Sequence, residues 1–263
     1  MRQTHGQSNY TSTKQAHLQM ILHAGTNGFR SVQRLNPGSL IVVIDCTAGS
    51  GQTDKGEAGS PVILNNHFHA SYGLEFRQLC CERDRVNFDR LKSLPLVNTD
   101  FANGDYQDHV GQWLTEVGRG RLLTGLCYCD VNGMKDALDG LAVFNQMRAK
   151  GRFERIDLLF NISLNAYKRH QAVGSQWAMQ PLLDRVDQLA GLKECSFIRG
   201  EIGFKEWIML YGLNTKQVSA RRRTAHIWEY WQEWRPKAES HLNGGLKVSP
   251  EQRGLFDETA IGI

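Results

Sequence analysis

The chain has 263 residues, 41% hydrophobic and 22% charged, a balance that excludes intrinsic disorder and suits one large α/β core with a small addition. Its net charge of +4 permits a nucleic-acid partner without requiring one, because binders concentrate basic residues on one surface. Residues 1–9 lack the apolar core of a signal peptide, and no run approaches the roughly 18 apolar residues of a membrane span, so a cytoplasmic protein without a membrane partner is expected.

Residues 14–24 carry apolar side chains at helical spacing (Ala16, Met20, Ile21, Ala24). Leu40-Ile-Val-Val-Ile44 is a continuous β-branched run between Pro37-Gly38 and a glycine-rich loop. A strand apolar on both faces belongs in a parallel sheet covered by helices. The alternation then repeats, with strands expected at 74–81, 96–100, 122–129 and 155–160. Helices are expected at 84–94, 106–117, 134–150 and within 176–190. Two strand-like runs, 195–202 and 206–213, stand close enough to form a hairpin. The expected fold is a Rossmann-like, doubly wound α/β domain: a mostly parallel seven-stranded sheet, a C-terminal antiparallel hairpin and helices on both faces. That layout is the class I methyltransferase arrangement, and dinucleotide dehydrogenases usually lack the hairpin. The expected organisation is an N-terminal helical segment (1–37), this domain (38–215) and a basic, aromatic helical extension (216–263).

In open α/β sheets the ligand lies beyond the carboxyl ends of the strands. Strand one ends in Asp45 and runs into Ala48-Gly49-Ser50-Gly51, strand two ends in Glu82, and strand three leads to Asp105. Strand four ends in Asp130 and strand five in Asn161. Glycines 49 and 51 are expected to let the backbone approach a ligand where a Cβ would clash. Glu82 has the place of an acid that accepts ribose hydroxyls. The P-loop spacing is absent, and several carboxylates suit a cationic sulfonium and a ribose better than a triphosphate. The long loop 51–59 either folds over the ligand or is a loose connection, and Ser60-Pro61 is expected to be an N-cap followed by the first helical residue.

Ile44-Asp45-Cys-Thr-Ala48-Gly49-Ser-Gly51 followed by Gly59-Ser60-Pro61 resembles the three-Cys-motif partner (TcmP) proteins, a methyltransferase-like family. Cys81-Glu82-Arg83-Asp84, Asn103-Gly104-Asp105, Cys129-Asp130-Val131-Asn132-Gly133 and Asp157-Leu-Leu-Phe-Asn161 extend the resemblance, in order, over about residues 14–213. The resemblance implies an S-adenosyl-L-methionine site, with Asp45, Gly49 and Gly51 about the methionine part, Glu82 at the ribose and Asp105 at the adenine; Ala48 and Asp130 are further candidate cofactor contacts. It also implies company with a three-cysteine-motif partner protein. After strand four the family reads Asp-Pro-aromatic-Gly, whereas this chain has Asp130-Val131-Asn132-Gly133. Asp130 keeps a hydrogen-bond acceptor and Asn132 adds another, so these two are the candidate catalytic residues. The ring that would stack on a base is missing, which weakens an exocyclic amine as the methyl acceptor.

Asn161, Lys168 and Arg169 after strand five, and Arg221, Arg222 and Arg223 after the last strand, are candidate substrate contacts, the basic ones for phosphates. A solvated loop is the alternative for each basic cluster. The aromatic stretch 226–238 reads as a helix whose Ile227, Trp231, Trp234 and Ala238 share a core-packing face, leaving Trp228 as the base-stacking candidate. The six cysteines lack any C-x-x-C pair and read as buried free thiols, and His67-x-His69 has the wrong spacing for a metal pair on a helix, so no metal is expected. Together these features predict an S-adenosyl-L-methionine-dependent methyltransferase, acting on nucleic acid. The alternative is a non-catalytic protein of the same fold that works with a partner.

Overall fold

The structure is a computed structural model and describes residues 11–53, 55–71, 73–131, 144–145, 147, 155–163, 179–199, 207–213 and 229–236. Its elements in chain order are α1 (Thr11–Leu35), β1 (Leu40–Asp45), α2 (Ser60–Ala70), β2 (Phe76–Glu82), α3 (Arg85–Lys92) and β3 (Thr99–Asn103). They continue with α4 (Tyr106–Val117), β4 (Leu123–Val131), β5 (Ile156–Ser163), α5 (Met179–Ala190), β6 (Cys195–Arg199), β7 (Trp207–Leu213) and β8 (Glu229–Tyr230).

The strands form one sheet in the order β3-β2-β1-β4-β5-β7-β6-β8. Strands β1 to β5 run parallel, while β7 lies antiparallel to both β5 and β6. This is the expected Rossmann-like, mostly parallel sheet with its C-terminal antiparallel hairpin. Among the described residues the sheet has eight strands rather than seven, because Glu229–Tyr230 pairs with β6 as a short extra edge.

Strand β1 shows why the centre forms. All six residues are buried, and alternate side chains serve opposite faces. Leu40, Val42 and Ile44 pack with Val110, Trp113 and Leu114 of α4 and with Leu183, Val186 and Leu189 of α5. Ile41 and Val43 pack with Leu18, Ile21, Leu22 and Phe29 of α1 and with Ile63, Leu64 and Phe68 of α2. Burying one such side chain contributes roughly 1.5–3 kcal/mol, so β1 alone organises both layers.

Three expectations shift. Strand β3 begins at Thr99, not at residue 96, because Leu94 and Leu96 plug a small cluster around Ala48, Cys80, Leu91 and Phe101 instead of joining the sheet. Helix α2 begins at Ser60, and its N-cap position is Gly59, whose backbone is extended; Pro61 keeps its place in the first turn. The aromatic stretch is not one helix: Glu229 and Tyr230 are strand residues, and helix follows at 231–236. Pairing with β6 wins there because Tyr230 buries its ring on Phe197, centroids 4.6 Å apart. Trp231 and Trp234 are core residues, as the stripe implied, and Trp231 Nε1 donates to Asp187 at 2.5 Å.

Cys46, Cys80, Cys81, Cys127 and Cys129 are buried free thiols, and no group of three or more metal-ligating side chains exists among the described residues. No helix among them is long and apolar enough to cross a membrane.

His67 stands at the α1–α2 contact. The Thr26 hydroxyl gives its proton to the Leu22 carbonyl (2.6 Å), so its oxygen accepts from His67 Nε2 at 2.5 Å. Burial first, then the neighbouring His23 and Arg30, push the His67 pKa from 6.5 down to about 4. The folded state therefore resists protonation. This part of the stability is complete above pH 6.5 and is lost as the pH falls through about 4. His67→Gln is expected to keep a donor for Thr26 and to move the acid-unfolding midpoint to lower pH. An unchanged midpoint in an acid titration followed by circular dichroism would contradict this role.

Candidate functional site

The parallel order brings the carboxyl ends of β1, β2 and β4 side by side, and the Asp45 carboxyl feels the charges of Glu82 and Asp130. Asp45 is fully buried at the end of β1. Its Oδ1 accepts from the Thr47 backbone N–H at 3.2 Å, while Oδ2 has no hydrogen-bond partner among the described residues. Burial pushes its pKa from 3.8 up to about 7; the Ser60 hydroxyl and the Thr47 N–H oppose this, and the charges of Asp130 and Glu82 add to it.

A raised folded-state pKa means that Asp45 stabilises least where it is ionised. Its contribution is complete below 3.8 and is lost as the pH rises through about 7, a difference of roughly 4 kcal/mol. Asp45→Asn is therefore expected to raise the melting temperature at pH 8.5 by on the order of 10 °C. The gain should shrink toward zero near pH 4. A gain independent of pH in thermal melts would sink this assignment.

Glu82 holds the loop after β1. Its Oε2 accepts from the Gly49 N–H at 2.8 Å and its Oε1 from the Asp84 N–H at 2.7 Å. Each oxygen keeps lone pairs that can take a further donor, such as a ribose hydroxyl. Gly49 has a φ of +59°, and a Cβ built on it would meet nothing within 4 Å, so open space lies beside the backbone here. Gly51 differs: a Cβ there would come within 2.4 Å of Leu94 Cδ1, so that glycine serves packing rather than ligand approach. Ala48 is buried and donates its N–H to the Cys81 carbonyl at 2.9 Å. Asp105, at the N-cap position of α4, is half-exposed and faces Arg83 at 3.6 Å.

The loop 51–59 is closed on itself rather than loose. Gln52 and Ala58 form an antiparallel bridge, and the Thr53 N–H donates to the Glu57 carbonyl at 2.9 Å. Gln15 of α1 donates from Nε2 to the Ala58 carbonyl at 2.8 Å, which ties this loop to the N-terminal helix.

Asp130 carries more partners than its place in the sequence implies. Lys14 Nζ lies 3.1 Å from Oδ1 and 3.2 Å from Oδ2, and Asn161 Nδ2 donates to Oδ1 at 2.6 Å. The Asp130 N–H donates to Thr47 Oγ1 at 3.0 Å, locking the end of β4 onto the β1 loop. The Asn161 side chain is 1% exposed, and its Oδ1 has no partner among the described residues. Of the candidate residues, the structure unites Asp45, Ala48, Gly49, Glu82, Asp130 and Asn161 along one edge, with Gly51 behind it and Asp105 at its rim. Asn132, Lys168, Arg169, Arg221, Arg222, Arg223 and Trp228 lie outside the described residues. Lys14 is a site residue that sequence reasoning missed; nothing local distinguishes it from any other lysine on an amphipathic helix.

No protein-family model matches the chain. No curated protein sequence matches it either. Among solved structures it is similar to protein LPL1258 from Legionella pneumophila (TM-score 0.45, 11% identity, covering 81% of this chain and 95% of that one). It is also similar to the Methanococcus jannaschii fibrillarin pre-rRNA processing protein (TM-score 0.42, 11% identity, covering 66% of each chain). A third is Aeropyrum pernix fibrillarin in complex with natively bound S-adenosyl-L-methionine (TM-score 0.39, 14% identity, covering 67% of this chain and 66% of that one). Similarity of this degree assigns no chemistry to the chain.

Proposed function

We propose that the chain is an S-adenosyl-L-methionine-dependent methyltransferase of the three-Cys-motif partner type, acting on nucleic acid. The observation that carries the proposal is the β1–β2 edge: a buried Asp45 oxygen without a partner, open space beside Gly49, and a Glu82 carboxylate with lone pairs to spare. That set of groups fits the donor molecule. Asp45 and Gly49 would border its methionine part, Glu82 its ribose hydroxyls and Asp105 its adenine. When bound, the group supplies a methyl already activated by a positive sulfur. The protein's task is then to hold the acceptor in line and exclude water. Asp130, a quarter exposed and held by Lys14, Asn161 and Thr47, would orient that acceptor. The segment 1–37 would serve as a cover, 38–215 as the catalytic domain and 216–263 as a basic and aromatic surface for the substrate, Arg221 to Arg223 on its phosphates and Trp228 on a base.

One observation favours the second reading, a non-catalytic protein that binds the same ligand and serves a three-cysteine-motif partner. Lys14 and Asn161 already hydrogen-bond Asp130, so an acceptor would have to share its oxygens with them. Transfer of a labelled methyl group from S-adenosylmethionine to RNA or DNA separates the two. A methyltransferase labels nucleic acid and loses the activity in Asp130→Ala while binding S-adenosylhomocysteine within a few-fold of wild type. Binding without labelling under any condition, including added partner, supports the non-catalytic reading.

A further inference from the structure

We propose that Lys14, Asp130 and Asn161 form a subsite for a hydroxyl, so that the transfer is an O-methylation and, on nucleic acid, takes place on ribose. This rests on the methyl-donor reading above. Lys14 belongs to α1 and Asp130 to β4, 116 residues apart in the chain, yet the ammonium spans both carboxylate oxygens. Gln15, the next residue, fastens the same helical turn to the loop after β1. The start of α1 thus lies across the edge from the first loop to the end of β4, and it brings a fixed positive charge to the point where an acceptor would stand.

The free bonding capacity at this point matches a hydroxyl. An ammonium has three N–H donors, and no third partner of Lys14 exists among the described residues. The Asn161 Oδ1 is a buried acceptor without a partner, and Asn161 Nδ2 and Lys14 Nζ meet on the same Asp130 oxygen. A hydroxyl can accept from Lys14 and donate its one proton either to Asn161 Oδ1 or to Asp130 Oδ2. An exocyclic amine offers no lone pair to an ammonium, because its own is delocalised into the base.

The charge that develops during reaction points the same way. A nitrogen that attacks a methyl becomes positive, and an ammonium at its side opposes that change. An oxygen that attacks while losing its proton becomes negative, and the same ammonium favours it. In the proposed step the oxygen–carbon bond forms as the carbon–sulfur bond of the bound donor breaks, with that electron pair left on sulfur. The hydroxyl proton passes to Asp130 Oδ2 and then to solvent, its electron pair staying on the acceptor oxygen. Lys14 remains protonated throughout. Internal hydroxyls along a nucleic acid belong to the ribose of RNA and are absent from DNA. The substitution of the aromatic turn by Val131-Asn132 agrees, since a hydroxyl needs no stacking ring.

The test uses the full chain, labelled S-adenosylmethionine, and total RNA or genomic DNA from cells lacking the gene. Nucleosides released by digestion are separated by mass spectrometry. The expected result is label on O-methylated ribose and none on DNA. Label on a base amine, or no label on RNA from a protein that binds S-adenosylhomocysteine, overturns the inference. Failure to bind either cofactor form defeats the donor reading itself, and the inference with it. Lys14→Met is expected to lower transfer about 100-fold while leaving S-adenosylhomocysteine affinity within threefold. Lys14→Arg, which keeps the charge, should recover a measurable part. Wild-type transfer by Lys14→Met would make the ion pair purely structural. If that variant does not fold, the product analysis and Lys14→Arg still decide.

Discussion

Gly125→Ala is expected to remove roughly 4 kcal/mol or more of stability and to leave the chain unfolded under conditions where the wild type is folded. Gly125 lies in β4 opposite Val42 of β1. A Cβ on Gly125 would come within 1.8 Å of the Val42 carbonyl oxygen and 2.9 Å of the Val42 nitrogen. Its φ of +149° is also one that side chains rarely adopt. No rotamer change relieves a contact with backbone, so β1 and β4 would have to separate, and those strands carry Asp45 and Asp130. Gly111→Ala is the matched control, since it lies within α4 and an added Cβ meets nothing within 4 Å. It should stabilise by up to about 1 kcal/mol. Urea denaturation of both variants checks the pair. A Gly125→Ala midpoint equal to that of the wild type would show that the two strands do not pair in this register.

Glu82→Ala is expected to weaken S-adenosylhomocysteine binding by about 100-fold or more. In the proposed site, two charge-assisted hydrogen bonds from Glu82 to ribose hydroxyls would account for roughly 3 kcal/mol or more, and every 1.4 kcal/mol is a factor of about ten. The truncation also frees the Gly49 and Asp84 N–H groups, so the loop after β1 loses its anchor. Glu82→Gln separates the two effects. Its amide retains one acceptor oxygen but turns its NH₂ toward one of the two backbone donors, and a loss of about 10-fold is expected. Equal affinities for wild type, Gln and Ala variants in a calorimetric titration would remove Glu82 from the ligand site.

The centre of the fold was legible because burial on both faces leaves a plain mark: 40–44 is uninterrupted hydrophobic sequence, and both of its faces are covered in the structure. The edges were less legible. At β3, Leu94 and Leu96 look like strand residues but fill a cluster beneath the β1 loop, a tertiary use that periodicity does not encode. At β8, two residues join the sheet inside a helical pattern because the β6 edge needs a partner. Asp45, Glu82 and Asp130 could be placed by following strands to their ends. Their partners could not, since the Lys14–Asp130 pair spans 116 residues and depends on where α1 crosses the sheet. The expected role of Gly51 in ligand approach failed for a similar reason. Its confining neighbours, Leu91 and Leu94, come from the far end of α3 and the turn after it.

Calorimetric titration of the purified chain with S-adenosylmethionine and S-adenosylhomocysteine tests the central claim most directly. Saturable one-to-one binding of both, abolished or weakened about 100-fold by Glu82→Ala, is the predicted result. A folded wild-type protein that takes up neither compound would contradict the claim that this edge is a methyl-donor site.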